Sequence, residues 1–174
     1  SNQLLMASGS ARPDGTFVVP GLAGWWLVRL RGLPPGLSLQ SGMASGLDVT
    51  DDGVEISQDI EGVDIAITTK PTRVTGTVTV ANGAPTRDYA VIVFSEDSRQ
   101  WARLLTRHVV SANPGADGRF TVTGLPAGRY FAAAVAELEQ GQWASPEHLQ
   151  QLRARATSFS LSDGETRVLT LIRR

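Results

Sequence analysis

Few side chains in this chain are equipped for catalysis. His108 and His148 are its only histidines, and it has no cysteine. A hydrolytic metal site needs histidine or carboxylate ligands that converge and leave one position open. Glu147 adjoins His148, and adjacent residues of a helix point to different sides, so the two do not form a ligand pair. Asp48, Asp51, Asp52 and Glu55 are the densest acidic group. Oxygen donors of this kind suit calcium, but the spacing is not that of an EF-hand loop, and Asp51-Asp52-Gly53 reads equally as a solvated turn. No Gly-x-Ser-x-Gly elbow accompanies Ser57 or Ser111. Gly124-Leu125-Pro126-Ala127-Gly128 leads into a strand rather than a helix amino-terminus, so it makes no phosphate cradle. The expectation is a protein that is not an enzyme, with no catalytic residue, no metal and no cofactor.

Recognition is the better prospect. Trp25, Trp101 and Trp143 fall at surface-facing or loop positions, where an indole face can stack on a sugar or a peptide. The competing reading is that a loop tryptophan folds back to cap a sandwich end, and it is the favoured one for Trp101 and Trp143. Solvent-open indoles grouped with polar neighbours would mark a binding surface; packed ones would mark caps. Nucleic acid is not expected, because the net charge is −1 and the arginines are spread along the chain, with Lys70 the only lysine.

These residues sit on a chain whose dominant period is two. In Arg73 to Val80 the valines face one way and the threonines the other, as in a half-buried strand. Asn82-Gly83 suits a tight turn, and the apolar run Tyr89 to Phe94 suits a fully buried strand. Further strands are predicted at Arg119–Val122, Tyr130–Ala136 and Thr166–Ile172. Ser145, Pro146 and Glu147 make a helix start, giving one helix over Pro146–Arg155 with Leu149 and Leu152 inward; a second helical turn is predicted within 95–101. The fold class is therefore all-β, a Greek-key β-sandwich with one short helix. At 174 residues the chain can hold one domain or two small ones, and no stretch approaches the ~20 apolar residues of a membrane-spanning helix.

An internal repeat organises the rest. Asp14-Gly15-Thr16-Phe17 to Gly21-Leu22-Ala23-Gly24-Trp25-Trp26 aligns with Asp117-Gly118-Arg119-Phe120 to Gly124-Leu125-Pro126-Ala127-Gly128-Arg129-Tyr130. Trp26 takes the place of Tyr130 and Trp25 that of Arg129. Alternation then puts Trp26, Val28 and Leu30 inward and Trp25, Arg29 and Arg31 outward, and Leu22 and Leu125 should plug sandwich ends. The second copy has two strands before its Asp-Gly turn; the first has too few residues for them. Residues 1–13 are thus a leader, 14–70 an amino-terminally cut copy with later strands near 47–50, 54–57 and 63–68, and 71–174 a complete copy. A cut copy should expose a sheet edge, to be paired with another chain in a homodimer or covered by residues 1–13.

The series Val74-x-Gly76-x-Val78, Asn82-Gly83-x-Pro85, Val91-x-Val93-Phe94, and Asp117-Gly118-x-Phe120 to Gly124-Leu125-Pro126-x-Gly128-x-Tyr130 resembles carboxypeptidase regulatory-like domains. These are transthyretin-like, or prealbumin-like, β-sandwiches. The resemblance implies an accessory module, either a spacer or an interaction domain, of a longer secreted or cell-envelope bacterial protein. Its partners would be that protein's other domains and, through the tryptophans, a glycan or peptide.

Overall fold

A computed structural model describes residues 6–103, 105–138 and 143–173. It divides into two compact units, one of residues 1–31 with 41–66, the other of residues 32–40 with 67–174. The fold is mostly β.

Five short strands serve the first part of the chain: β1 (Gly24–Trp26), β2 (Ser38–Ala44), β3 (Leu47–Asp48), β4 (Val54–Ile56) and β5 (Val63–Thr68). β1 pairs antiparallel with β4, Trp25 opposite Glu55 and Trp26 opposite Val54; the other three form a sheet in the order β3-β2-β5. The strand expected to run on through Leu30 stops at Trp26. Beyond it Val28 makes one backbone bond to Val49, and the Arg29 guanidinium donates to the carbonyls of Val28 and Thr50, so a side chain takes acceptors that a ladder would have used. β2 has no hydrophobic signature because its buried positions are Gly42 and Ala44. A Cβ on Gly42 would stand 2.6 Å from Thr50 and 2.7 Å from Ile65, so the close approach itself selects glycine there.

The larger unit is a sandwich of β6 (Arg73–Thr79), β7 (Ala90–Ser95), β8 (Val109–Ala112), β9 (Phe120–Thr123), β10 (Gly128–Val135), β11 (Thr157–Leu161) and β12 (Thr166–Ile172). One sheet runs β11-β10-β7-β8 and the other β12-β6-β9, with β12 parallel to β6 and β6 antiparallel to β9. Val74, Val78, Phe120, Tyr130, Phe159 and Leu171 fill the space between them. Mid-strand Gly76 is required by this packing. Its Cβ position is taken by the Leu169 carbonyl oxygen, 2.0 Å away, with the Phe120 ring at 2.9 Å.

The four-stranded sheet is buried on its second face too. Ile92, Phe94, Phe131 and Val135 pack there against Leu149 and Leu152 of α1 (Pro146–Arg153). That double burial explains why every residue of β7 is apolar except its last, Ser95. The helix starts as its sequence predicts: Ser145 Oγ accepts from the backbone N–H of His148 at 3.2 Å, and Pro146 stands in the first turn. It ends at Arg153, two residues short of the predicted stop, and the second helical turn is a short 3-10 turn at Ser98–Gln100 capped by Asp97.

The repeated Asp-Gly segment keeps its local geometry at both positions. Gly15 N–H bonds to Arg12 O and Gly118 N–H to Gly115 O; Arg12 N–H bonds to Thr16 O and Gly115 N–H to Arg119 O. In each copy the aspartate Oδ1 accepts from the backbone N–H two residues on, at 2.9 Å for Asp14 and 3.0 Å for Asp117. Leu125 is buried as a plug in the sandwich core, whereas Leu22 is half-buried. The described part of the leader forms no strand, and Gly9 lies against the Val18 carbonyl, where a Cβ would be 2.3 Å from its oxygen.

Candidate functional site

The three tryptophans have three different environments. Trp25 is on β1, and alternation turns its side chain to the same face as Glu55 of β4, away from Trp26, Val54 and Ile56. It keeps 48% of its surface exposed. Its indole lies across the α-carbon of Gly53, a residue with φ of +75°; a Cβ there would come within 2.2 Å of the ring. The turn between β3 and β4 thus supports one side of the ring.

Trp101 is buried. Its indole N–H donates to the Ser95 carbonyl at 2.7 Å, and its ring meets Phe94 edge-on at 5.6 Å. Trp143 is half-buried and packs against the same apolar cluster. These two are therefore brought together, but beneath the outer face of the four-stranded sheet rather than at a sandwich end. Trp101 follows the 3-10 turn Ser98–Gln100, and Trp143 precedes α1, whose Leu149 and Leu152 belong to the same cluster. Trp25 belongs to the other unit.

The histidines and the acidic group each have their own local partners. His108 directly precedes β8; its ring stacks on Tyr130, centroids 6.1 Å apart, with Nδ1 3.1 Å from the phenolic oxygen. His148 lies in the first turn of α1. Asp48 Oδ1 accepts from Thr50 N–H, Thr50 Oγ1 and Asp51 N–H at 2.7, 2.8 and 2.7 Å. That oxygen is engaged in holding the turn. Among the described residues, no three histidine or carboxylate side chains are grouped to hold a metal.

Elsewhere, carboxylates serve surface turns. Hydrogen bonds from the Arg99 side chain and backbone lower Asp97 to about 2. Bonds from the Thr16 backbone and hydroxyl hold Asp14 below the usual carboxylate value, and the Ser162 backbone N–H does so for Glu165. Tyr89, whose hydroxyl donates to Gly118 O at 2.9 Å, is pushed up by burial.

Sequence reasoning missed one feature, a pocket of about 30 Å³ in the larger unit, lined by Gln40, Lys70, Arg107, Leu125, Pro126 and Asp163 among others. Arg107 donates to the carbonyls of Leu39 and Gln40 at 2.9 and 3.3 Å. The volume holds water rather than a substrate. No spacing signal could have found it, since its lining comes from five separate stretches of chain.

No family model and no curated protein matches the chain. Among solved structures it is similar to a candidate carbohydrate-binding protein of Pseudomonas aeruginosa, at 16% identity and a TM-score of 0.31 over 58% of this chain and 88% of that one. It is also similar to the major pilin subunit of Bacillus cereus, at 10% identity and a TM-score of 0.40 over 97% and 77%. The Bacillus anthracis TIE protein aligns at 11% identity and a TM-score of 0.37, covering 90% of this chain, which spans 35% of that protein.

Proposed function

We propose that the chain is a non-catalytic accessory segment of a longer exported protein, made of a cut copy (14–70) and a complete copy (71–174) of a carboxypeptidase regulatory-like sandwich, and that it acts as a spacer or interaction domain. The observation that carries this reading is the fate of the larger unit's aromatics. Trp101 is buried with its N–H bonded to Ser95, and Phe94, Phe131 and Trp143 join it in packing. The recurrence of the Asp-Gly turn with the same hydrogen bonds at a 103-residue offset supports the two-copy organisation. Export, and a homodimer through an edge of the cut copy, rest on the family resemblance and on that copy's missing strands.

A second reading has one observation in its favour. Trp25 offers a supported, half-exposed indole beside a carboxylate, an arrangement on which a sugar ring or a peptide can stack. A glycan and peptide array probed with the intact chain separates the two. The spacer reading expects no saturable binder. A binder whose affinity falls at least tenfold in Trp25→Ala replaces it with the second reading.

A further inference from the structure

The charge of the chain is near zero only in sum. The unit of residues 1–31 and 41–66 carries three arginines, Arg12, Arg29 and Arg31, against eight carboxylates, a net charge of −5. The unit of residues 32–40 and 67–174 carries thirteen basic and nine acidic residues, a net charge of +4. Residues 41–66 contain seven carboxylates and no basic residue. Among the described residues of the larger unit, Asp97, Glu96, Glu165 and Asp88 pair with Arg99, Arg129, Arg167 and Arg173.

The acidic unit also has an uncovered sheet face. β1 and β4 make a two-stranded sheet whose Trp26, Val54 and Ile56 are half-buried, while Trp25 and Glu55, directly opposite each other on the other face, are exposed. An indole and a carboxylate side by side also suit a guanidinium or ammonium, which the ring face and the charge attract together.

We propose that the Trp25–Glu55 face is a docking surface for the arginine-rich unit of a second copy of this chain, a head-to-tail contact between unlike units. The occupant is argued from charge complementarity. A like-to-like contact would oppose −5 to −5 or +4 to +4, whereas the unlike contact pairs opposite fields and strengthens on-rate and orientation. Such a contact is heterologous, so it leaves a free donor and a free acceptor surface and propagates beyond a dimer unless it closes into a ring. It is independent of the family assignment and differs from edge-strand pairing, whose backbone hydrogen bonds are insensitive to salt.

Sedimentation velocity on the intact chain over a range of concentrations tests it, at about 20 mM and about 0.5 M salt, where screening lengths differ severalfold. The expected result is a mass that rises with concentration above the 18.5 kDa monomer at low salt and returns to it at high salt. Glu55→Arg, at an exposed position, should weaken the association by about tenfold, and Trp25→Phe by a few-fold. Circular dichroism of both variants confirms that each is folded. A monomer at every concentration in low salt overturns the proposal, as does association that is indifferent to salt or to Glu55→Arg; the salt-indifferent outcome assigns the contact to the sheet edge instead.

Discussion

The phenol of Tyr130 is held between two partners, the Pro126 carbonyl at 2.8 Å and His108 Nδ1 at 3.1 Å. A carbonyl only accepts, so the single phenolic proton belongs to Pro126, and the imidazole donates its Nδ1–H to the phenolic oxygen. His108 thus supports a fully buried core tyrosine. Tyr130→Phe should cost about 1–2 kcal/mol, because it strands the Pro126 acceptor and the imidazole donor. His108→Phe keeps the ring stack and should cost less. Urea unfolding of both variants checks the order; a larger loss in His108→Phe would contradict this assignment.

Trp101 provides a measure of how much the outer cluster contributes. Truncation to alanine removes its edge contact with Phe94 and leaves the Ser95 carbonyl without its indole donor. A loss of about 3–5 kcal/mol is expected. Trp101→Phe should recover most of the packing but not the hydrogen bond, a loss nearer 1–2 kcal/mol. Thermal unfolding separates the two, and equal losses would mean the indole N–H contributes nothing.

Gly53 couples backbone conformation to the exposed indole. Its φ of +75° already disfavours a side chain, and its Cβ position lies 2.2 Å from the Trp25 ring. Gly53→Ala should therefore destabilise the turn by at least about 1 kcal/mol and also displace Trp25. A red shift of tryptophan emission before any unfolding is the expected signature, absent when the same change is made in the Trp25→Phe background.

Asp97 sets an acid-side dependence. Its folded value of about 2 lies below the ordinary 3.8, so its stabilising contribution is complete above about pH 4 and disappears as pH falls through about 2. NMR titration of its side-chain carbon should show that midpoint. Arg99→Gln should return it toward 3.8, since the Arg99 side chain is the largest cause of the shift; an unmoved midpoint would shift the cause to the backbone bond.

One-sided or complete burial made several strands of the larger unit legible, as at Arg73–Thr79, Ala90–Ser95 and Thr166–Ile172. Strand Thr157–Leu161 was missed although Phe159 and Leu161 alternate with serines, because it follows the helix after a short gap. Strand Ser38–Ala44 was invisible for a deeper reason, since its buried positions are glycine and alanine. The outward position of Trp25 and the packing of Trp101 and Trp143 were legible, but the apolar cluster that Trp101 and Trp143 join was not.

What the residues determined alone is local. Period-two alternation dictates strands, Ser145-Pro146 dictates a helix start, and an aspartate two residues before a backbone N–H dictates the repeated turn, since each depends on neighbours within a few positions. What only the tertiary structure decided is which surfaces remain free. Trp101 lies six residues from the carbonyl it bonds, yet its burial depends on Phe94 and on a helix some fifty residues away, while Trp25 stays open because the Gly53 turn supports one side of it. Exposure is a property of distant chain segments meeting, and no spacing within a strand encodes it.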